Sequence, residues 1–142
     1  MLSLSTLEEA LAAMRSPRAR PLVVADFADN PGGGAPSDNV SILREVVKHG
    51  LAGVVIGLIY DPQAVRTCHE VGVGGRIDLR LGGKTGRTSG LPIDLEVEVL
   101  GLARDACMES AAARYPLGDT AWVRHAGIDI ALSSRRMQLL DP

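Results

Sequence analysis

Apolar positions along the chain change their period several times, and each change marks an element. Leu22 to Ala25 is a short unbroken apolar run that reads as a buried strand. The run breaks into acids, an amide, glycines and prolines. Val40, Leu43, Val46 and Val47 then recur at helical spacing, with Lys48 and His49 in the last turn before Gly50. Leu51 to Tyr60 is almost wholly apolar and rich in valine and isoleucine, as expected of a strand covered on both faces in a parallel sheet. Strand, helix and strand together predict a right-handed βαβ unit. Asp61-Pro62 supplies an N-cap and a first-turn proline for a second helix, whose Val65 and Cys68 face inward and which Gly72 closes.

From Gly74 the period falls to two. Ile77, Leu79 and Leu81 alternate with Arg76, Asp78 and Arg80, and Ile93, Leu95, Val97 and Val99 alternate with Asp94, Glu96 and Glu98. Mainly basic and acidic wet faces of this kind pair well in a hairpin, here across Gly82 to Pro92. The alanine run within Asp105 to Tyr115 favours a short helix. Thr120 to His125 and Ile128 to Leu132 read as two more strands joined at Ala126-Gly127, with Trp122 in the core. At the other end, Ser5-Thr6-Leu7-Glu8 is a capping-box pattern ahead of Leu7, Ala10, Leu11 and Met14. That helix runs to about Ser16-Pro17, and Arg15, Arg18 and Arg20 then make a solvated connector. The pattern predicts one α/β domain, a parallel βαβα start followed by antiparallel strands in a mixed sheet. Residues 1–20 are its leading helix and linker, and residues 21–142 the domain itself.

The 142 residues suffice for one buried core, and with aromatics at only 3% that core is aliphatic. A formal net charge of −2, with Lys and Arg nowhere in a block, argues against nucleic acid as a partner. The longest apolar run, Leu51 to Tyr60, is too short for a helical membrane span, and no signal-peptide layout opens the chain, so the expected setting is cytoplasmic. Cys68 and Cys107 lack CxxC spacing and read as idle thiols.

Candidate chemistry concentrates between the first strand and the first internal helix. Asp26, Asp29, Asn30, Gly32, Gly33, Gly34, Ser37 and Asp38 sit on a strand-to-helix loop. Consecutive glycines there can turn N–H groups inward to an anionic group, whereas the acids favour a cation or an amine. The competing reading is a tight connection capped by Ser37 or Asp38. Lys84, in the Gly82 to Gly90 loop, is a second candidate, although the GxxxxGK[ST] spacing of a nucleotide loop is absent. His49 reads as a helix-end residue, His69 as a surface residue and His125 as a strand-end residue. With no HExxH and no nucleophile–base arrangement, no catalytic residue and no metal ligand is assigned in this chain.

The stretch Ala25-Asp26 with Asp29-Asn30-Pro31-Gly32-Gly33-Gly34-Ala35-Pro36-Ser37-Asp38 resembles the signature that opens the C-terminal domain of the microcystinase C (MlrC) family. Further blocks agree in order: Asp61 to Val65, Gly72-Val73-Gly74, Leu81 to Lys84, Ser89 to Ile93, and Ser133 to Gln138 with Asp141-Pro142. The resemblance implies a zinc metallopeptidase-like protein whose zinc ligands and catalytic acid lie in an N-terminal domain without counterpart here. No cofactor is then held by this chain, while zinc is expected in the full-length protein. The implied partners are that N-terminal catalytic domain, a peptide or small-molecule substrate and, optionally, a second copy in a homo-oligomer. Asp29, Asn30, Gly32, Gly33, Gly34, Asp38 and Lys84 are expected to line the substrate cleft. A stand-alone small-ligand or anion-binding module, or an interface scaffold without catalysis, is the alternative. If the short chain did hold zinc, Asp26, Asp29, His49, His69 and His125 would be the ligands to consider.

Overall fold

The structure is a computed structural model that describes residues 4–16, 21–109 and 113–139. Its centre is a mixed sheet in the order β1-β5-β4-β3-β2, made of β1 (Val54–Tyr60), β2 (Arg76–Leu81), β3 (Ile93–Glu109), β4 (Arg114–His125) and β5 (Ile128–Ser133). β1 and β5 run parallel, and the other pairs are antiparallel. This is the α/β mixed sheet that the apolar pattern predicts.

Three helices flank the strands: α1 (Leu7–Arg15), α2 (Ser41–Lys48) and α3 (Pro62–Val71). Thr6 caps α1 in a full capping box with Glu9, one residue later than the Ser5 to Glu8 spacing suggests. Leu43 and Val46 of α2, Val65 and Cys68 of α3 and Leu11 of α1 join Leu79, Val97, Val99, Val123, Ile130 and Leu132 of the sheet in one aliphatic core. Each such fully buried branched side chain contributes roughly 1.5–3 kcal/mol relative to exposure. The charged hairpin forms in the predicted register, with Arg76 opposite Glu98 at 3.0 Å and Arg80 opposite Asp94 at 2.7 Å. Among the described residues no helix is long and apolar enough to cross a membrane.

Three expectations are corrected. Leu22 to Ala25 forms no strand: the segment is unpaired, and Val23 is 81% exposed. Ser37 occupies part of the β1 edge instead, its carbonyl accepting from Tyr60 N–H at 2.7 Å and its hydroxyl donating to Leu58 O at 3.2 Å. The parallel neighbour of β1 is therefore β5, and no βαβ unit is closed by residues 22–25. The helix expected over 105–115 is replaced by the outer part of a long hairpin, in which Cys107 faces Pro116 and Met108 faces Tyr115. Cross-strand pairing overrides a weak helix preference there. Trp122 lies opposite Ala131 on the face away from the core, half exposed, and its Nε1–H donates to Asp129 Oδ1 at 2.7 Å. The connector residues Arg18 and Arg20, and the Asp141-Pro142 block, lie outside the described residues.

Candidate functional site

The polar residues singled out in the sequence gather at the carboxyl ends of the parallel strands β1 and β5, where open α/β sheets bind ligands. The glycine loop is built on side-chain caps. Asn30 Oδ1 accepts from Gly32 N–H at 2.9 Å and starts a single 3₁₀ turn, Pro31–Gly33. Gly33 N–H donates to Asn30 O, Gly34 N–H to Pro31 O and Ala35 N–H to Asn30 O. These N–H groups therefore point into the loop and not at a would-be anion. The asparagine caps the turn that the three glycines allow, which consumes the donors of the expected cradle. A Cβ at Gly32 would meet the Gln138 side-chain amide, so the segment after β5 is laid against this loop.

Asp29 takes the next step. Its Oδ1 accepts from Ser37 N–H at 2.9 Å and its Oδ2 from Asn39 N–H at 2.8 Å, which holds Ser37 at φ 64. Burial pushes the Asp29 carboxyl above its ordinary value; those two N–H groups oppose the shift, and the nearby Asp26 and Asp38 charges reinforce it.

Asp38 joins this loop to the one after β2. It is buried, its backbone carbonyl accepts from Gly83 N–H, and its Oδ2 accepts from Lys84 N–H and Thr85 N–H, each at 2.8 Å. Burial raises its pKa, but the Ser89 hydroxyl, the two N–H groups and the Thr85 hydroxyl outweigh that and hold it below the usual carboxylate range. Asp38 Oδ1 itself makes no well-aligned hydrogen bond.

Asp61, in the sequence a helix cap and the first residue of a family block, is the hub. It is 2% exposed. Oδ1 accepts from Ala64 N–H at 3.0 Å and caps α3; Oδ2 accepts from Gly82 N–H at 2.9 Å. Lys84 Nζ donates to both oxygens, at 2.9 and 2.7 Å, and to Arg80 O at 2.6 Å. Asp61 N–H in turn donates to Ser133 O, the last residue of β5. One residue thus ties together β1, β5, α3 and the 82–90 loop, through its carboxylate and its backbone N–H. An open cleft of about 330 Å³ lies over this hub, lined by Tyr60, Asp61, Pro62, Gln63, Lys84 and Thr85.

The structure therefore brings Asp38 and Lys84 into direct contact, and it links Asp29 to them through Ser37; Gly32 to Gly34 form an exposed rim beside the half-buried Asn30. Thr85, Ser89 and Asp61 are not among the expected site residues. The Asp61-Pro62 cap and the family blocks that open at Asp61 and Ser89 mark two of them in the sequence without showing their burial, because burial of an acid is a tertiary property.

None of this fits a metal. Among the described residues no three His, Cys, Asp or Glu side chains could hold an ion. His49 lies 3.4 Å from Glu45, His69 Nε2 sits 3.2 Å from Thr120 O, and His125 Nδ1 sits 2.8 Å from Glu96 O, each on a different element. The oxygens of Asp29 are committed to backbone N–H groups.

A family model of the MlrC C-terminus matches residues 24–142, including the whole polar hub. The chain belongs to the MlrC family. This MlrC C-terminal domain is 40% identical over 124 residues to Microcystinase C of Sphingomonas sp, a match that covers 87% of the chain and 24% of the relative. A solved structure from Mesorhizobium sp. BNC1, named as a candidate metallopeptidase, superposes with a TM-score of 0.81 at 25% identity, covering 94% of this chain and 27% of that one. The chain thus spans about a quarter of the length of the relatives it matches.

Proposed function

We propose that this domain is part of a peptide- or amide-bond hydrolase, and that it supplies one wall of the substrate cleft while zinc and the catalytic acid lie in an N-terminal domain outside the chain. The observation that carries this reading is the 40% identity to Microcystinase C across nearly the whole domain. In it, Asn30 and the Gly32 to Gly34 backbone form the rim that a substrate touches, and Asp29 sets the rim's angle through Ser37 and Asn39. Asp38 and Lys84 fix the facing loop. The Lys84 ammonium, already satisfied by Asp61 and Arg80 O, anchors the wall and leaves the substrate's charge to other groups. Peptides and small amides are the substrate class, and a cytoplasmic setting, residues 1–20 as connector and an optional homo-oligomer belong to the same proposal.

Zinc content and peptide hydrolysis, measured on this chain and on a longer gene product that contains it, test the reading. Stoichiometric zinc and turnover only in the longer polypeptide are expected, with Gly32→Val there raising KM without lowering zinc content. Zinc and turnover in the 142-residue chain alone would overturn it and make Asp26, Asp29, His49, His69 and His125 the ligands to test. An interface role without catalysis is the second reading, favoured by the exposed Leu22, Val23, Val24 and Phe27. A longer product that binds zinc but hydrolyses neither peptides nor amides would support it.

A further inference from the structure

On the other side of Pro62 from the hub, α3 and the outer part of the β3–β4 hairpin enclose an open cleft of about 400 Å³. Its polar lining is Arg66, His69, Glu70, Arg104, Asp119 and Ser134. The volume falls within the roughly 300–1,000 Å³ of small-ligand sites. We infer that this cleft is a carboxylate subsite, with Arg66 and Arg104 as its two forks.

The hairpin is distorted where it meets the cleft. The register of β3 against β4 shifts between Ala103 and Ala106, and Asp105 adopts φ 47. Asp119 holds this bulge, its Oδ1 accepting from Asp105 N–H at 3.1 Å and its Oδ2 from Arg104 Nη1 at 3.2 Å. A bulge re-aims a side chain, and here that side chain is Arg104. Arg66 reaches the cleft from α3 and has no hydrogen-bond or ion-pair partner among the described residues, so its guanidinium is free for a planar carboxylate. His69 Nε2 faces Thr120 O and must carry the proton there, which leaves Nδ1 uncommitted. Gly118, at φ +69, has no Cβ; one would fall on Ser134 Oγ, so the glycine makes room for that hydroxyl. Asp119 is paired with Arg104 and takes a second, neutral hydrogen bond from Asp105 N–H. Glu70 is the remaining acid, and it selects a ligand that brings an N–H donor beside its carboxylate, as a peptide does. A peptide offers that carboxylate from its C-terminus or from an acidic side chain. Only the assignment to a substrate rests on the hydrolase reading; carboxylate binding by this chain stands apart from it.

The test is binding to the 142-residue chain, followed by NMR, of trialanine as the free acid, trialanine C-terminal amide, and Ala-Glu-Ala C-terminal amide. Trialanine acid should shift the His69 ring signals, and Arg66→Ala or Arg104→Ala should each weaken binding about tenfold. Loss with both amides supports the C-terminus as the source, and retention by the Glu peptide alone among the amides supports a side chain. Equal binding of trialanine amide, which has no carboxylate, no binding of any peptide, or arginine variants that bind as well as the parent would overturn the subsite. Both arginines are solvent-exposed, so their removal leaves the fold intact. Zinc content and turnover of a longer gene product are independent of every one of these outcomes.

Discussion

Removing the Asp61 carboxylate with Asp61→Ala breaks connections to α3, to the 82–90 loop and to Lys84 at once. Three losses coincide. The α3 N-cap bond to Ala64 is worth about 1 kcal/mol. Gly82 N–H, buried, is left without an acceptor at a cost of roughly 1–3 kcal/mol. The Lys84 pair is discounted to about 1 kcal/mol because the lysine side chain is 27% exposed. The losses share one site and are not additive, so the expected total is about 3–4 kcal/mol. For a chain of 142 residues that lowers Tm by roughly 10 °C. Lys84→Met keeps both backbone bonds to Asp61 and should cost only about 1–2 kcal/mol. Urea unfolding of the parent, both single variants and the double variant gives the coupling, expected to exceed about 0.5 kcal/mol. A loss below about 0.5 kcal/mol for Asp61→Ala, typical of a surface change, would refute the hub, as would strict additivity of the pair.

Gly83→Ala should destabilise by about 3 kcal/mol or more, because φ +62 is strained for alanine and its Cβ would strike the Leu91–Pro92 backbone, whereas Gly33→Ala, with nothing within 4 Å, should stay within about 0.5 kcal/mol. Denaturant midpoints compare the two. Asp38 and Asp29 should show opposite pH behaviour. Because the folded pKa of Asp38 is depressed, its contribution is present above the unfolded value of 3.8 and is lost as pH falls through the folded pKa, so the stability gap between parent and Asp38→Asn narrows in acid. The folded pKa of Asp29 is raised, so the parent gives up stability as pH rises from 3.8 through the folded value, and the gap to Asp29→Asn narrows in that direction. Urea midpoints at several pH values read both slopes, and parallel slopes would contradict the assigned causes. In the folded chain a thiol reagent at pH 8 should label Cys107 quickly and Cys68 only on unfolding, since burial and then the Asp61 charge push the Cys68 thiol up to about 11.

How far the sequence reached follows from the kind of signal each element left. Period-two alternation with opposed charges defined the β2–β3 hairpin, because a half-wet pair of strands must alternate. Capping chemistry marked α1 and α3, because helix ends need local donors and acceptors. The MlrC blocks identified the family and led to Asp29, Asp38 and Lys84 as expected cleft residues on two separate loops. Leu22 to Ala25 was misread as a strand because a strand is defined by an available edge, and Ser37 had taken the one on β1. The 105–115 segment was misread because alanine propensity is local, whereas the β4 partner that overrides it lies beyond the turn.

The sequence by itself determined the aliphatic core, the α/β alternation, the charged hairpin, the glycine loop and the family. Those depend on neighbours a few residues apart and on blocks that follow one another in order within the chain's own length. Only the tertiary structure decided that the glycine N–H groups close on Asn30, that Asp61 is buried beneath Lys84, and that Arg66 and Arg104 face one cleft from elements 38 positions apart. Each of those depends on which residue reaches a donor or an acceptor first, and that competition is settled by packing across the sheet.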